Sequence, residues 1–507
     1  MMMRFNFLNT RKQLVANYEN AKSYLMTPEM ELYTTVVTTG LNDSFYETGN
    51  SRLERIKELV ATCESTFVAK LAIYTRTEMN LRSIPIVLAV ELAKNTSGDA
   101  IISRMVNQVI LRADEITELL AYYQIANERK GIKKLARLSK QIQKGLAVSF
   151  NKFDEYQFAK YDRKTEVKLR DALFIVHPNP KNDQQQIVFD RIATNSLSTP
   201  YTWETELSEL GKVSFANTSV RSTAFTKKWE ELIESKKMGY MALLRNLRNI
   251  LDANVSVQHI SMVCDYLSNE QAVLNSRQLP FRFLSAYREL KSIKSDLTSI
   301  VLTALEDATR CSACNIKGFG FETSVVIACD VSGSMQKPIS AKSAVLLYDV
   351  GLMLAMLLQS QCKTVTTGIF GDTYKIINMP RHRILANVME YYKREGEVGY
   401  STNGYLVVDD LVHRKKIVDK VMIFTDCQLW DSNYKGNSLE KSWNNYKSLA
   451  PHAKLYLFDL AGYGKQPIDI KQNDVYLLAG WSDKVFDILS GIDNALSAVE
   501  QIHQVEI

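Results

Sequence analysis

Apolar residues recur every three or four positions from about residue 10 to about residue 310, and that spacing predicts helix after helix. "LERIKELVATCESTFVAKLAIYTRTE" and "IPIVLAVELAKN" carry the pattern early, "SKKMGYMALLRNLRNILDA" and "LPFRFLSAYRELKSI" later. Short polar stretches such as "LNDSFYETGN" and "LSTPYTWETE" cut it into units. Helical hairpins strung together in this way commonly stack as a solenoid with a concave face. No strict repeat period is visible, so periodicity alone does not identify a repeat class.

Beyond about residue 320 the pattern changes. Continuous apolar runs, "TSVVIACD", "TVTTGIF", "KVMIFTD", "AKLYLFDL" and "DVYLLAG", predict buried strands. Helical patterns lie between and after them: "SAVLLYDVGLMLAMLLQS", "RILANVMEYYKRE" and "SDKVFDILSGIDNALSAVEQI". The expected fold class is therefore multidomain, α followed by α/β, the second part a doubly wound domain with a mainly parallel sheet. The boundaries expected are 1–315 for the helical part and 320–507 for the α/β part. At 507 residues the chain is too long for one ordinary core, which agrees.

Sheets of this kind bind ligands at the carboxyl ends of their strands. There the chain has "CDVSGSMQ", which places Asp330, Ser332 and Ser334 at alternate positions in a turn directly after a strand. Hard oxygen donors in a tight loop suit Mg²⁺ or a similar cation, although serines that merely cap a turn are the competing account. "VMIFTDCQLW" ends another strand in Asp426, and "GYSTNGYLVVDDL" carries Thr402 in a turn entering a helix, with Ser401 as its neighbour. Together these segments resemble the metal-ion-dependent adhesion site of von Willebrand factor A domains. The resemblance implies that Ser332, Ser334 and Thr402 bind the cation directly or nearly so. Asp330 and Asp426 would hold it through water, leaving one octahedral position for an acidic group from a partner. Mg²⁺ is the expected ion, with Mn²⁺ the other candidate.

Composition narrows the remaining classes. Apolar content of 46% with 23% charged residues is that of a globular protein. The N-terminus has no apolar core long enough for a secretory signal, and the most apolar run, Val345 to Leu358, is interrupted by Asp349; no membrane partner is expected. The 7 scattered cysteines suggest a reducing cytoplasm, and the one CxxC, Cys311 and Cys314, lacks a second pair for zinc and reads as linker cysteines. No P-loop, HExxH or nucleophile elbow is present, so a binding protein is expected and not an enzyme.

The net charge of +6 is modest, but from Arg129 to Arg170 there are 13 Lys or Arg against 4 Asp or Glu. Basic character concentrated in one segment points to a polyanion. Leu135, Leu138, Ile142 and Leu146 fall on one helical face, with Lys133, Lys134, Arg137, Lys140 and Lys144 around the remainder. A second cluster holds Lys160, Arg163, Lys164, Lys168, Arg170 and His177, with Tyr156 and Tyr161 as aromatic surfaces. Basic residues interleaved with tyrosine suit single-stranded RNA better than duplex readout. A solvated basic face is the alternative.

Four stretches then carry a wider resemblance: "MTPEMELYTTVVTTGL", "KLAIYTRTEMNLRSIPIVLAVELA", "STPYTWETELSELG" and "GYMALLRNLRNIL", in this order and followed by the A-type domain. The chain resembles the Ro autoantigen family, TROVE domain plus von Willebrand factor A domain, in a bacterial or phage-borne form. The resemblance implies a monomeric ring of HEAT-like helical repeats closed by the A domain. It also implies binding of small Y-like noncoding RNA on the outer basic surface and of the 3′ ends of misfolded RNA in the central hole. By matching "KYDRK" and "LFIVHP", it puts Lys160, Lys164 and His177 on RNA-contacting positions, with Tyr161 close by; Lys164 stands where an arginine is usual. A 3′-exonuclease such as polynucleotide phosphorylase is the implied partner in noncoding RNA decay. A metal-dependent adhesion module that binds acidic partner groups is the second function class. A metal-dependent hydrolase is the third and weakest.

Overall fold

The structure, a computed structural model, describes residues 14–39, 46–127, 138–162, 165–312, 323–339, 343–362, 364–394, 396–430, 438–470, 474–481, 485 and 497–507. Of the expected site residues, Lys133, Lys134, Arg137, Arg163 and Lys164 lie outside the described residues, as does Cys314.

The first half is helical as its periodicity predicts. Its helices are α1 (Pro28–Val37), α2 (Gly49–Thr62), α3 (Ser65–Thr77), α4 (Ser83–Asn95), α5 (Ile101–Val109) and α6 (Ala113–Ala126). They continue as α7 (Lys140–Phe150), α8 (Glu155–Tyr161), α9 (Leu169–Val176), α10 (Asp183–Ala193), α11 (Trp203–Gly211) and α12 (Thr218–Glu234). The last are α13 (Tyr240–Asp252), α14 (Val257–Leu267), α15 (Glu270–Ser276), α16 (Phe281–Leu290) and α17 (Thr298–Ser312). Local signals start many of them: Thr27 caps α1 ahead of Pro28, and Asp154 with Gln157 forms a reciprocal capping box on α8. Most helices pack on the next one or two along the chain, as in a solenoid, whereas α8 packs back on α6 and α10 on α9. Gly145 lets α7 approach α5 closely, because a Cβ there would meet the Ser103 carbonyl oxygen at 2.7 Å.

Three expectations need correction. The stretch read as helical from about residue 10 opens with a hairpin, β1 (Leu14–Ala16) and β2 (Lys22–Leu25). Asn17 accepts the Glu19 and Ala21 amides at 2.9 Å, and this local side-chain turn outcompetes a helix. The basic helix begins only at Lys140, so Leu138 precedes it, half-buried, while Ile142 and Leu146 are fully buried as predicted. Cys311 belongs to α17 and not to a linker.

In the second half, β3 (Ser324–Asp330), β4 (Thr364–Phe370), β5 (Tyr374–Ile376), β6 (Lys420–Thr425), β7 (Lys454–Asp459) and β9 (Val475–Ala479) form one sheet of order β5-β4-β3-β6-β7-β9. All pairs are parallel except the edge pair β4–β5. Helices α18 (Leu347–Gln361) and α19 (Ile384–Tyr392) pack together, as do α20 (Tyr405–His413) and α21 (Leu439–Leu449). Strand order reverses between β3 and β6, so a crevice opens at their carboxyl ends.

The two halves meet twice, which closes the chain into a ring. At one junction α16 and α17 pack on α18 and α19. There the Arg288 guanidinium grips Asp349, whose side chain is fully buried, at 2.5 and 2.6 Å. Glu306 caps α19 from α17, accepting the Leu385 and Ala386 amides at 3.0 and 2.7 Å. At the other junction α1 packs on β9 and on α22 (Ala498–His503), and β2 pairs with β8 (Lys465–Gln466).

Tyr33 donates to the Ala479 carbonyl at 3.0 Å, and Arg55 to that of Gly462 at 2.7 Å. Gly462 has φ +63°, and a Cβ there would lie 2.3 Å from Thr38 Oγ1 and 2.5 Å from the Thr34 carbonyl oxygen. Gly462→Ala is expected to cost about 2 kcal/mol or more by overpacking this contact; a lower urea midpoint with unchanged slope is the check. No helix among the described residues is long and apolar enough to cross a membrane.

Candidate functional site

The crevice between β3 and β6 collects the five residues singled out for metal binding. Asp330 ends β3, and Ser332 and Ser334 follow in a short 3₁₀ turn; Asp426 directly follows β6. Thr402 comes from the loop before α20. All five are buried. Asp330 accepts the Ser332 amide at 2.9 Å and the Thr425 hydroxyl at 2.7 Å, while the Ser332 and Ser334 hydroxyls stand 3.2 Å apart. Thr402 Oγ1 donates to the Gln428 carbonyl at 3.0 Å and accepts the Trp430 amide at 2.9 Å. Its neighbour Ser401 is half-buried and sits on the rim with Asp372. Asp410, also in this region, is paired outward with Arg414 at 2.8 Å.

Charge is poorly compensated here. Burial pushes the Asp330 carboxyl above its ordinary range, and the charge of Asp426 adds to the effect. Burial raises Asp426 as well, and the Ser334 hydroxyl offsets only part of that. Asp426 Oδ1 accepts the Gln428 amide at 2.9 Å, whereas Oδ2 is buried without a well-formed hydrogen bond among the described residues, the Ser334 hydroxyl nearby favouring its charge. A buried carboxylate oxygen without a well-formed hydrogen bond, beside the Ser334 hydroxyl, is what a divalent cation with oxygen ligands would satisfy. Among the described residues no group of three or more His, Cys, Asp or Glu side chains could hold a metal, so a cation here would depend on the hydroxyls.

The basic segment supplies a second surface. Lys160 is exposed near the end of α8, its ammonium 5.7 Å from the rings of both Tyr156 and Tyr161. Tyr156 is exposed, whereas Tyr161 is half-buried with the Arg112 guanidinium 4.3 Å over its ring. His177 follows α9 in a left-handed conformation, φ 50°, which turns the chain and leaves the residue exposed. Gln143 of α7 donates to the Ile175 and Val176 carbonyls, and this sets Lys140 and Lys144 against the end of α9. Not every lysine is available: Lys152 turns onto the carbonyls of Asn107 and Ile110.

Sequence reasoning missed part of this surface. Lys160 and Tyr156 line a cleft of about 260 Å³ together with Tyr201, Trp203 and Lys237. The Lys237 ammonium lies 4.8 Å from the Tyr201 ring. The signal was present in "STPYTWETE", whose aromatic residues stand out in a polar stretch, but nothing local showed that α8 would meet it.

A closed helical solenoid joined at both ends to a von Willebrand factor A-type α/β domain defines the class of protein. Family models agree: the TROVE domain matches residues 8–197 and 195–317, and the Ro60 vWA domain matches residues 324–491. The chain belongs to the TROVE/Ro60 family, a family of RNA-binding proteins. Among solved structures it resembles the Ro (RSR) protein of Deinococcus radiodurans, with TM-score 0.57 and 16% identity, covering 91% of this chain and 98% of that one. Among curated proteins it is 25% identical to telomerase protein component 1 of Rattus norvegicus over 329 residues, and to that of Mus musculus over 322. These alignments cover 49% and 47% of this chain but only 12% of either relative.

Proposed function

We propose that this protein is the RNA-binding component of a small ribonucleoprotein in noncoding RNA quality control. The outer surface around α7–α9 binds a structured, Y-like RNA through Lys140, Lys160 and His177, joined by Arg163 and Lys164. The opening of the ring takes the single-stranded 3′ ends of misfolded RNA, which a 3′-exonuclease of the polynucleotide phosphorylase type would then degrade in the cytoplasm. The observation that carries the reading is the exposed Lys160, set between tyrosines at a cleft that adds Trp203 and Lys237. Ammonium groups neutralise phosphates, and tyrosine or tryptophan faces stack on unpaired bases.

Mg²⁺ fits the crevice between β3 and β6. Ser332, Ser334 and Thr402 would hold it by their hydroxyls, and Asp330 and Asp426 through water. The cation supplies positive charge where buried carboxylates otherwise face each other.

RNA binding measured against salt tests the main reading. Lys160→Ala/Lys164→Ala/His177→Ala is expected to weaken structured RNA selectively over 3′-tailed RNA, with the log–log salt slope shallower by about 2. Unchanged binding of both RNAs would remove these residues from the interface.

A further inference from the structure

The resemblance to an adhesion site implies one coordination position left for a partner's acidic group. The structure puts an acidic side chain of this same chain at the mouth of the crevice. Glu19, in the turn between β1 and β2, lines the mouth of the crevice with Tyr46, Ser332, Gly333, Ser334 and Thr402, in a cleft of about 440 Å³. Its charge reaches Asp426, whose carboxyl it pushes further up.

The turn is held in place by contacts with the loop that follows Asp426. Asn17 Nδ2 donates to the Leu429 carbonyl at 2.7 Å, and the Tyr18 amide to Gln428 Oε1 at 2.9 Å; both acceptors lie in the loop that follows Asp426. The Tyr46 hydroxyl donates to Glu19 Oε1 and lies by Ser334, while its ring stacks on Tyr18 at 4.9 Å. A carboxylate is thus held at the mouth of a crevice with buried Asp426 behind it, an arrangement that is repulsive without a cation.

We propose that Glu19 is the acidic group that completes this metal site, so that the cation clasps the N-terminal hairpin onto the A-type domain. The inference rests on the cation reading and deepens it. It makes the site an internal fastener at one of the two ring junctions, where β2 also pairs with β8. An external acidic partner would first have to displace Glu19. The three carboxylates do not form a ligand cluster by themselves, so Glu19 would hold the cation together with the hydroxyls of Ser332, Ser334 and Thr402 that line the same cleft.

Two measurements on the full chain test this: calorimetric titration with MgCl₂, and amide hydrogen exchange of the hairpin with saturating MgCl₂ or with EDTA. Wild type is expected to bind Mg²⁺ and to show slower hairpin exchange with it. Glu19→Gln is expected to weaken Mg²⁺ by about tenfold, the size of one lost charge-assisted contact. In EDTA its hairpin should exchange no faster than wild type, because a repulsive charge has gone. Glu19→Asp should retain part of the Mg²⁺ effect. A merely structural glutamate would loosen the hairpin in both conditions, and that result overturns the proposal. Wild-type Mg²⁺ affinity and wild-type protection in Glu19→Gln overturn it too, while leaving the cation reading intact. Absence of Mg²⁺ binding by wild type overturns both.

Discussion

Arg288→Met is expected to destabilise the closed ring by about 3–5 kcal/mol, the cost of leaving a buried charge without its partner. Asp349 is fully buried, and among the described residues its carboxylate accepts, besides Arg288, the Leu346 amide at 2.8 Å at the helix start. The methionine would preserve much of the apolar contact that Arg288 makes beside Met389 and Tyr392, so the loss isolates the charge. Thermal unfolding should show a lower midpoint, and small-angle scattering a larger radius as α16 and α17 part from α18. The double variant Arg288→Met/Asp349→Asn should recover most of the loss, because it removes the stranded charge. If the single variant unfolds like wild type, this ion pair does not hold the junction.

The second large effect is expected at Asp426. In EDTA, Asp426→Asn should be more stable than wild type, because burial and mutual repulsion penalise the Asp330 and Asp426 charges and Oδ2 has no well-formed hydrogen bond to lose. With Mg²⁺ the order should reverse. Wild type gains about 2.7 kcal/mol when the ion is at 100 times its dissociation constant, whereas the variant gains little. Paired thermal scans in EDTA and in MgCl₂ check this. Equal Mg²⁺ shifts in both proteins would mean that the cation, if bound, is not held at this crevice.

The candidate metal residues were legible because each follows a local rule. Asp330 and Asp426 close apolar runs that read as buried strands, and hydroxyls spaced by two follow the first at once. The RNA-facing residues were legible only as a composition, 13 basic residues against 4 acidic ones. Burial and pairing then sorted them: Lys160 and His177 are exposed, Lys152 is spent on backbone carbonyls, and Tyr161 lies under Arg112. The hairpin at β1 and β2 escaped notice because two strands of three and four residues leave almost no periodic signal.

The sequence by itself determined the two kinds of architecture, the order in which they occur, and the crevice residues Asp330, Ser332, Ser334, Thr402 and Asp426. The architectures and the Asp330, Ser332 and Ser334 turn depend on period and on neighbours within a few positions, while Thr402 and Asp426 joined the set through the resemblance to adhesion sites. Only the tertiary structure decided what closes the ring and what faces the metal site. Arg288 meets Asp349 from 61 positions away, Asn17 meets Leu429 from 412, and Glu19 shares a cleft with Ser334 only because the hairpin docks on a loop from the other end of the chain. Such pairings are settled by which surfaces are left to bury once the elements have formed, and no local pattern encodes that choice.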